Sequence, residues 1–167
     1  MRKEYIFDQK KFLIRVVYAG LLAVLVLLLG VFHISRGSSL KYLWMFVCFL
    51  SLYTIITNFI SISYPRKIIL ADNELTFSAF GKSHVYSLTE LEGFRIRERH
   101  LAKKMYIRVN KPSLFKGRYW IDLRAYNDYQ DLNEQFLSLE ESLHPDSLKA
   151  KIKKNNALYA ERKKQNV

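Results

Sequence analysis

Two long runs of residues without a single charge lie close together in the first half of the chain. The first run extends from Val16 to Ile34, and the second extends from Tyr42 to Tyr64. Crossing a hydrocarbon core of about 30 Å takes about 20 helical residues, which is close to the length of each run. Polar residues do not alternate with apolar ones here, as they do in the strands of a membrane barrel. The pattern therefore predicts two transmembrane helices.

The segment between the two runs is short and contains glycine and serine, so we expect an antiparallel helical hairpin. On that side only Arg36 and Lys41 flank the runs, whereas residues 1–15 contain five basic residues and Arg66 and Lys67 follow the second run. Lysine and arginine concentrate on the cytoplasmic side of membrane proteins. We therefore predict a cell-membrane protein with two spans and with both termini in the cytoplasm.

The second run carries a stripe of hydroxyl and amide side chains, most of them on one helix face. The stripe consists of Ser51, Thr54, Thr57, Asn58 and Ser61. One interpretation is a conduction or substrate path. The other is helix–helix hydrogen bonding, either with the first helix or with another copy of the chain. A path normally contains an ionisable group, and the runs contain none apart from His33 at the rim of the first. We therefore expect a helix–helix contact.

After the second run the pattern changes to short segments that are apolar or that alternate between apolar and polar residues. Such segments, separated by turn residues, predict strands. Six strands are predicted, over residues 66–71, 74–80, 84–88, 93–99, 105–110 and 118–123.

An amphipathic helix is predicted after the last strand, because apolar residues recur there at helical spacing. These residues are Tyr129, Leu132, Phe136, Leu139 and Leu143. Asn127 or Asp128 is expected to cap the start of the helix, and Pro145 is expected to end it. A small sheet exposes an apolar face, and a terminal amphipathic helix is a natural cover for that face.

A meander of strands closed by one C-terminal amphipathic helix resembles the pleckstrin-homology-like (PH-like) fold. In particular, it resembles the bacterial PH-like domains that follow a two-helix membrane hairpin. The resemblance is carried by residues 66–72, the segment 86–94, the strand 118–123 and the helix that starts near Asp128. It implies a small antiparallel barrel and a binding or scaffolding module attached to the membrane. The longest layouts of this fold have seven strands, so with six predicted, one strand is short, fused or missing here.

The chain is thus predicted to have four parts. They are a basic N-terminal segment over residues 1–15, a transmembrane hairpin over 16–64, a cytoplasmic PH-like domain over 65–144 and a basic tail over 145–167. The expected fold class is a membrane α-hairpin joined to an α+β, mainly β domain.

The net charge of +12 is unevenly distributed, because the predicted PH-like domain is nearly neutral while both ends of the chain are basic. Within the domain, arginines occupy the outward positions of the last three strands. They are Arg95, Arg97, Arg99, Arg108 and Arg118. If these strands are neighbours, the arginines form one patch, which is either an ordinary solvated face or a surface that docks onto anionic lipid headgroups or an acidic partner.

The tail is the most basic part of the chain. Its basic residues are Lys149, Lys151, Lys153, Lys154, Arg162, Lys163 and Lys164. Three interpretations are open: a helix lying on anionic lipid, a contact with nucleic-acid phosphates, and a solvated tail. Because the anchor keeps a bilayer nearby, we prefer lipid to nucleic acid as the partner.

No motif for catalysis or for metal binding is present in the sequence. The six glycines are dispersed, the four histidines lack ligand spacing, and no serine or cysteine lies in a nucleophile elbow. Neighbouring acids such as Glu140 and Glu141 are interpreted as solvated carboxylates. The single cysteine, Cys48, lies inside the second run, so no disulfide is expected. We predict no enzyme, no metal and no cofactor.

Together these patterns predict a non-enzymatic, membrane-anchored module that binds or organises other membrane or envelope proteins. The expected partners are the lipid bilayer and another such protein, with a homo-oligomer left open. Two alternatives remain: an accessory subunit of a transporter or other membrane complex, and an anionic-lipid sensor that acts through the arginines.

Overall fold

Three helices and seven strands account for most of the residues that the structure, a computed structural model, describes: 2–37, 39–99 and 103–146. The helices are α1 (Gln9–Ser35), α2 (Lys41–Ile60) and α3 (Tyr129–Leu143). The strands are β1 (Lys3–Ile6), β2 (Lys67–Leu70), β3 (Glu74–Ala79), β4 (Lys82–Ser87), β5 (Phe94–Arg99), β6 (Lys104–Val109) and β7 (Arg118–Asp122). We refer to the strands and α3 together as the β domain.

Helices α1 and α2 are both long and apolar enough to cross a membrane. They form the predicted hairpin, but α2 ends at Ile60 instead of continuing to Tyr64. Ile62 has a left-handed backbone with φ of 52°, and Pro65 disfavours helical geometry at the residue before it. Ile62 is buried in the core of the β domain. The apolar run thus ends in residues that belong to the domain core.

The strands form two antiparallel sheets, in the orders β1-β2-β3-β4 and β5-β6-β7. All six strands predicted after the hairpin are present. The seventh, β1, lies in the N-terminal segment and pairs with β2, with Tyr5 opposite Ile68. The prediction of an N-terminal flank separate from the domain missed this strand. Because β1 precedes α1 and β2 follows α2, the hairpin interrupts the β domain in the sequence.

The expected closed barrel is not supported, because the strand ladders of the described residues form two separate sheets. A short 3-10 turn, Leu88–Glu90, lies between β4 and β5. The C-terminal end of α3, together with His144 directly after it, covers the edge of β5. Ile96 N donates to a Glu140 carboxylate oxygen at 2.7 Å, and Phe94 N donates to His144 Nε2 at 3.2 Å. The interpretation of Glu140 as a merely solvated carboxylate is therefore wrong.

The other two edge strands, β1 and β7, are connected through the chain segments that flank the hairpin. Phe7 forms an isolated antiparallel bridge with Tyr126. Trp120 N donates to the carbonyl of Ser63 at 2.7 Å. The residues that enter and leave the hairpin thus join the two sheets on this side.

The core of the β domain lies between the two sheets and α3. Phe77 of β3 stacks on Tyr119 of β7 with 3.8 Å between ring centroids, and Phe136 of α3 lies 6.4 Å from Phe77. All three side chains are fully buried. The predicted apolar stripe of α3 is confirmed, since Leu132 and Phe136 are buried and the other three members pack against the core.

The cap of α3 agrees with the prediction in its position but lacks a capping hydrogen bond from the side chain. Asp128 occupies the cap position, but its backbone is left-handed, with φ of 47°, and its side chain makes no capping hydrogen bond. The Asn127 side chain instead accepts a hydrogen bond from Ile6 N at 2.6 Å. Asn127 therefore ties the start of α3 to the end of β1, a partner that the local sequence does not reveal.

Strand β1 is also tied to α3 through Asp131. The Lys3 ammonium lies 2.6 Å from one carboxylate oxygen of Asp131, and the Tyr5 hydroxyl donates to the other. The hydrogen bond from Lys3, followed by that from Tyr5, lowers the pKa of Asp131. Burial, reinforced by the bond to Asp131, raises the pKa of Tyr5. The first strand and the last helix are thus held together from opposite ends of the described chain.

The base of the hairpin is packed into the β domain. Phe12 and Val16 of α1 belong to the same buried cluster as the sheet residues. Phe80, in the turn after β3, lies 5.5 Å from Phe12 of α1 and 5.5 Å from Phe59 of α2 between ring centroids. Both helices therefore contact the domain directly.

Candidate functional site

The outward residues of sheet β5-β6-β7 form one surface, which we call the basic–aromatic face. Strand register arranges them in three rows across the sheet. The rows are Arg95–Arg108–Arg118, Arg97–Tyr106–Trp120 and Arg99–Lys104–Asp122. The structure thus places all five arginines of the predicted patch on one face, because the three strands are neighbours in the sheet.

Two aromatic rings lie at the centre of this face. Tyr106 and Trp120 stack with 4.3 Å between ring centroids, and the Arg108 guanidinium lies 5.2 Å from the Tyr106 ring centroid. Trp120 is 43 % exposed although it is a large aromatic residue. Neither ring was among the predicted site residues. The alternation of β7 carried the signal, since buried Tyr119 and Ile121 leave Trp120 pointing outward.

Basic side chains outnumber acidic ones in the three rows of this face, with six basic residues against Asp122. Asp122 forms an ion pair with Arg15 of the hairpin base. Arg118 Nε is buried without a hydrogen-bond partner among the described residues. Glu98 alternates with the arginines along β5 and is in register with buried Met105.

A cleft of about 680 Å³ separates the basic–aromatic face from the base of the hairpin. Its walls include Arg15, Val16 and Tyr64 from the hairpin side and Arg97, Arg99, Lys104, Tyr106, Arg108 and Trp120 from the sheet. The ion pair between Arg15 and Asp122 joins the two walls. The face is therefore fixed beside the helix ends, at the boundary where the apolar runs begin and end.

A second cleft, of about 640 Å³, lies on the same face beside the end of α3. It shares Arg97, Tyr106 and Arg108 with the first cleft and is bounded by Asp146, the last described residue. The basic tail continues from that point. The residues predicted to lie near lipid, Lys149, Lys151, Lys153, Lys154, Arg162, Lys163 and Lys164, fall outside the described residues.

The polar stripe of α2 is used largely within the chain. The Asn58 side-chain amide donates to the Val16 carbonyl of α1 at 3.1 Å, and Ser51 and Asn58 are buried. Val16 and Asn58, which this hydrogen bond joins, both lie in π-helical stretches: Val16 in Leu13–Tyr18 and Asn58 in Ile56–Ile60. The remaining stripe residues, Thr54, Thr57 and Ser61, donate to carbonyls one turn earlier in α2.

Replacing Asn58 with Leu is expected to weaken the hairpin by about 1 kcal/mol, because the contact with the Val16 carbonyl is lost. The matched control is Thr54→Val, since the Thr54 hydroxyl bonds only within its own helix and its loss is expected to cost less than about 0.5 kcal/mol. Unfolding of the full chain in mixed micelles measures both. Equal effects would contradict a special role for the interhelical bond.

A chain of three hydrogen-bonding side chains joins β4 of one sheet to β7 of the other. His84 Nδ1 lies 2.8 Å from the Tyr119 hydroxyl, which lies 2.7 Å from the Tyr86 hydroxyl. Burial, with a smaller contribution from the nearby Lys116, lowers the pKa of His84. Burial raises the pKa of both tyrosines. All three groups are therefore favoured in their neutral forms.

The β domain is expected to lose stability on acidification through His84. Because its folded pKa lies below its unfolded value of about 6.5, the unfolded chain binds the proton first and stability rises with pH between the two values. The contribution is complete above the unfolded pKa and is lost as the pH falls through the folded pKa. Urea midpoints of the full chain and of His84→Gln, compared at neutral and mildly acidic pH, test this. The other three histidines are common to both proteins, so an identical acid sensitivity would refute the role of His84.

Within the described ranges, no three His, Cys, Asp or Glu side chains come together as a metal site. The absence of a metal, cofactor or catalytic activity stays a prediction. Comparisons of the chain with protein-family models, curated proteins and solved structures found no match.

Proposed function

We propose that the chain is a non-enzymatic, membrane-anchored PH-like module that binds or organises other membrane or envelope proteins. The observation that carries the proposal is the interruption of the β domain by the hairpin, with β1 before α1 and β2 after α2. A domain built in this way stays attached to its anchor at two points and packs against both helices. It holds its surface at a fixed position relative to the helix ends.

The exposure of the hairpin supports a location in the membrane. Large apolar side chains along both helices are exposed, among them Leu22 at 61 %, Leu28 at 65 % and Phe49 at 67 %. The core helix of a soluble protein would be mostly buried. A contiguous apolar surface of this kind needs a lipid environment or a large protein partner.

The arrangement of charges supports a cytoplasmic position for the β domain. The domain lies at the end of the hairpin where α1 begins and α2 ends, next to Arg15 and Arg66. At the opposite end His33 stacks on Trp44 with 4.4 Å between ring centroids, as expected for aromatic side chains at a membrane interface. With the positive-inside bias, both termini are then cytoplasmic.

Two features support the PH-like proposal. Among the described residues the strand count reaches seven, because β1 adds a strand that the sequence pattern lacked. These strands divide into antiparallel sheets of four and three. Helix α3 then packs across the open edge beside β5.

A module of this shape acts through its surface, and the basic–aromatic face favours anionic lipid as a second ligand. The alternative of a subunit docked through the polar stripe has less support, because Ser51 and Asn58 are buried within the hairpin.

Affinity purification from detergent extracts of the native host tests the proposal. The full chain is compared with a control chain limited to the hairpin, residues 9–60. We expect the full chain to recover a specific membrane or envelope protein that the hairpin alone does not recover. Recovery of the same proteins by both chains, or of none by either, would count against a binding role for the β domain.

A further inference from the structure

We propose that the cleft between the basic–aromatic face and the hairpin base binds the phosphate headgroups of anionic lipids in the surrounding bilayer. The inference rests on the proposed membrane anchoring and adds a ligand class and a site to it. Its three supports are the level of the cleft relative to the hairpin, the charge of its walls and the aromatic rings between them.

The hairpin sets the level of the cleft. Arg15 and Val16 line it, and they are the last basic residue before the first apolar run and the first residue of that run. The Asn58 side chain meets the Val16 carbonyl from α2 at the same level. One turn before this level Phe12 of α1 is buried in the core of the β domain, while exposed apolar side chains begin at Leu13 and Ile14 and continue along both helices. A bilayer that covers the apolar surface therefore brings its headgroups to the mouth of the cleft.

The walls of the cleft are strongly cationic. They contain five basic side chains and the two carboxylates of Glu98 and Asp122, and Asp122 forms an ion pair with Arg15. The remaining basic residues are Arg97, Arg99, Lys104 and Arg108. Guanidinium groups bind phosphate oxygens through paired hydrogen bonds. Anionic lipid in the nearby leaflet is attracted to each basic residue near the surface.

The aromatic pair favours a lipid surface over a soluble acidic protein as the ligand. Trp120 is exposed and lines the same cleft as Val16, and Tyr106 stacks on Trp120. Such amphipathic rings prefer the interface between headgroups and hydrocarbon. The Arg108 guanidinium over the Tyr106 ring completes a surface with charge beside apolar area.

Fluorescence of Trp120 provides a direct test in the full chain. The chain has two tryptophans, so Trp44→Phe leaves Trp120 as the single reporter. The protein is placed in phosphatidylcholine nanodiscs that contain increasing fractions of phosphatidylglycerol, and quenching by lipids brominated near the headgroup is recorded. We expect quenching that rises with the fraction of phosphatidylglycerol. Adding Arg97→Gln and Arg108→Gln should raise the fraction needed for half of the change by roughly 25-fold, because each lost charge contributes about fivefold.

Charge-matched controls and competing ligands make the result decisive. Lys111→Gln with Lys116→Gln removes two charges from a cleft that contains neither Arg15 nor Val16, and should leave the response unchanged. Equal quenching with and without phosphatidylglycerol, or equal weakening by both double variants, would overturn headgroup binding. So would the same response to free glycerol 3-phosphate, or to polyglutamate, in discs of phosphatidylcholine alone. Failure to enter the discs would instead refute the membrane anchoring.

Discussion

Replacing Phe7 with Ala is expected to destabilise the β domain by about 3–5 kcal/mol. Phe7 is buried, with its ring 5.6 Å from Phe12 and 5.0 Å from Tyr126. The substitution opens a cavity where the segment before the hairpin, the first turn of α1 and the segment after β7 meet. Urea unfolding of the full chain in detergent measures the loss, with Trp44→Phe present in every variant so that Trp120 is the single fluorescent reporter.

The matched control for Phe7→Ala is Ile6→Ala, because Ile6 is the preceding residue, at the end of β1, and its side chain is 47 % exposed. We expect the control to change the free energy of unfolding by less than about 0.5 kcal/mol. Because β1 pairs with β2 and contributes Tyr5 to the core, a fragment that starts at residue 66 is not expected to fold stably. Equal, small effects of the two substitutions would contradict the assignment of β1 to the domain.

Replacing Phe77 with Ala is the second substitution for which we expect a loss of about 3–5 kcal/mol. The Phe77 ring is fully buried and contacts residues of both sheets and of α3: Tyr86, Tyr119 and Phe136. Its removal therefore loosens both sheets together. Hydrogen exchange of the full chain, read by mass spectrometry, should show faster exchange in β2–β4 and in β5–β7.

Val85→Ala serves as the control for Phe77→Ala. Val85 lies on the neighbouring strand β4 and is 49 % exposed, so its truncation is expected to leave exchange in both sheets unchanged. Faster exchange that is confined to the four-stranded sheet in Phe77→Ala would contradict a shared core.

Strands β3, β5, β6 and β7 were predictable because buried residues alternate with less buried ones along each of them. In β5, buried Phe94 and Ile96 alternate with exposed Arg95 and Arg97, and that period of two can be identified without any knowledge of the partner strands. The stripe of α3 was predictable for the same reason at helical spacing. Burial against a single neighbouring layer leaves a local trace in the sequence.

Strand β1 left almost no local trace. Only Tyr5 among its four residues is buried, and the strand is followed at once by α1. What makes it a strand is its pairing with β2, which lies beyond the whole hairpin in the sequence. The same holds for Glu140 and Asn127, whose partners lie on β5 and β1. Contacts between residues that lie far apart in the chain leave no periodic pattern in the local sequence, so they cannot be predicted from it.

The candidate site divides in the same way. The arginines of the basic–aromatic face followed from alternation, and their placement on one face followed from strand adjacency. The cleft could not be predicted from alternation, because it depends on the ion pair between Arg15 and Asp122, which lie far apart in the sequence. The aromatic pair also depends on register, which sets Tyr106 opposite Trp120.

Extraction of membranes with alkaline carbonate tests the central claim, that the hairpin is an integral membrane anchor, most directly. The full chain is produced in cells, the membranes are washed at high pH, and the protein is followed in the pellet and the supernatant. The account predicts that the chain stays in the pellet while peripheral proteins are released. Release of the chain into the supernatant would contradict it.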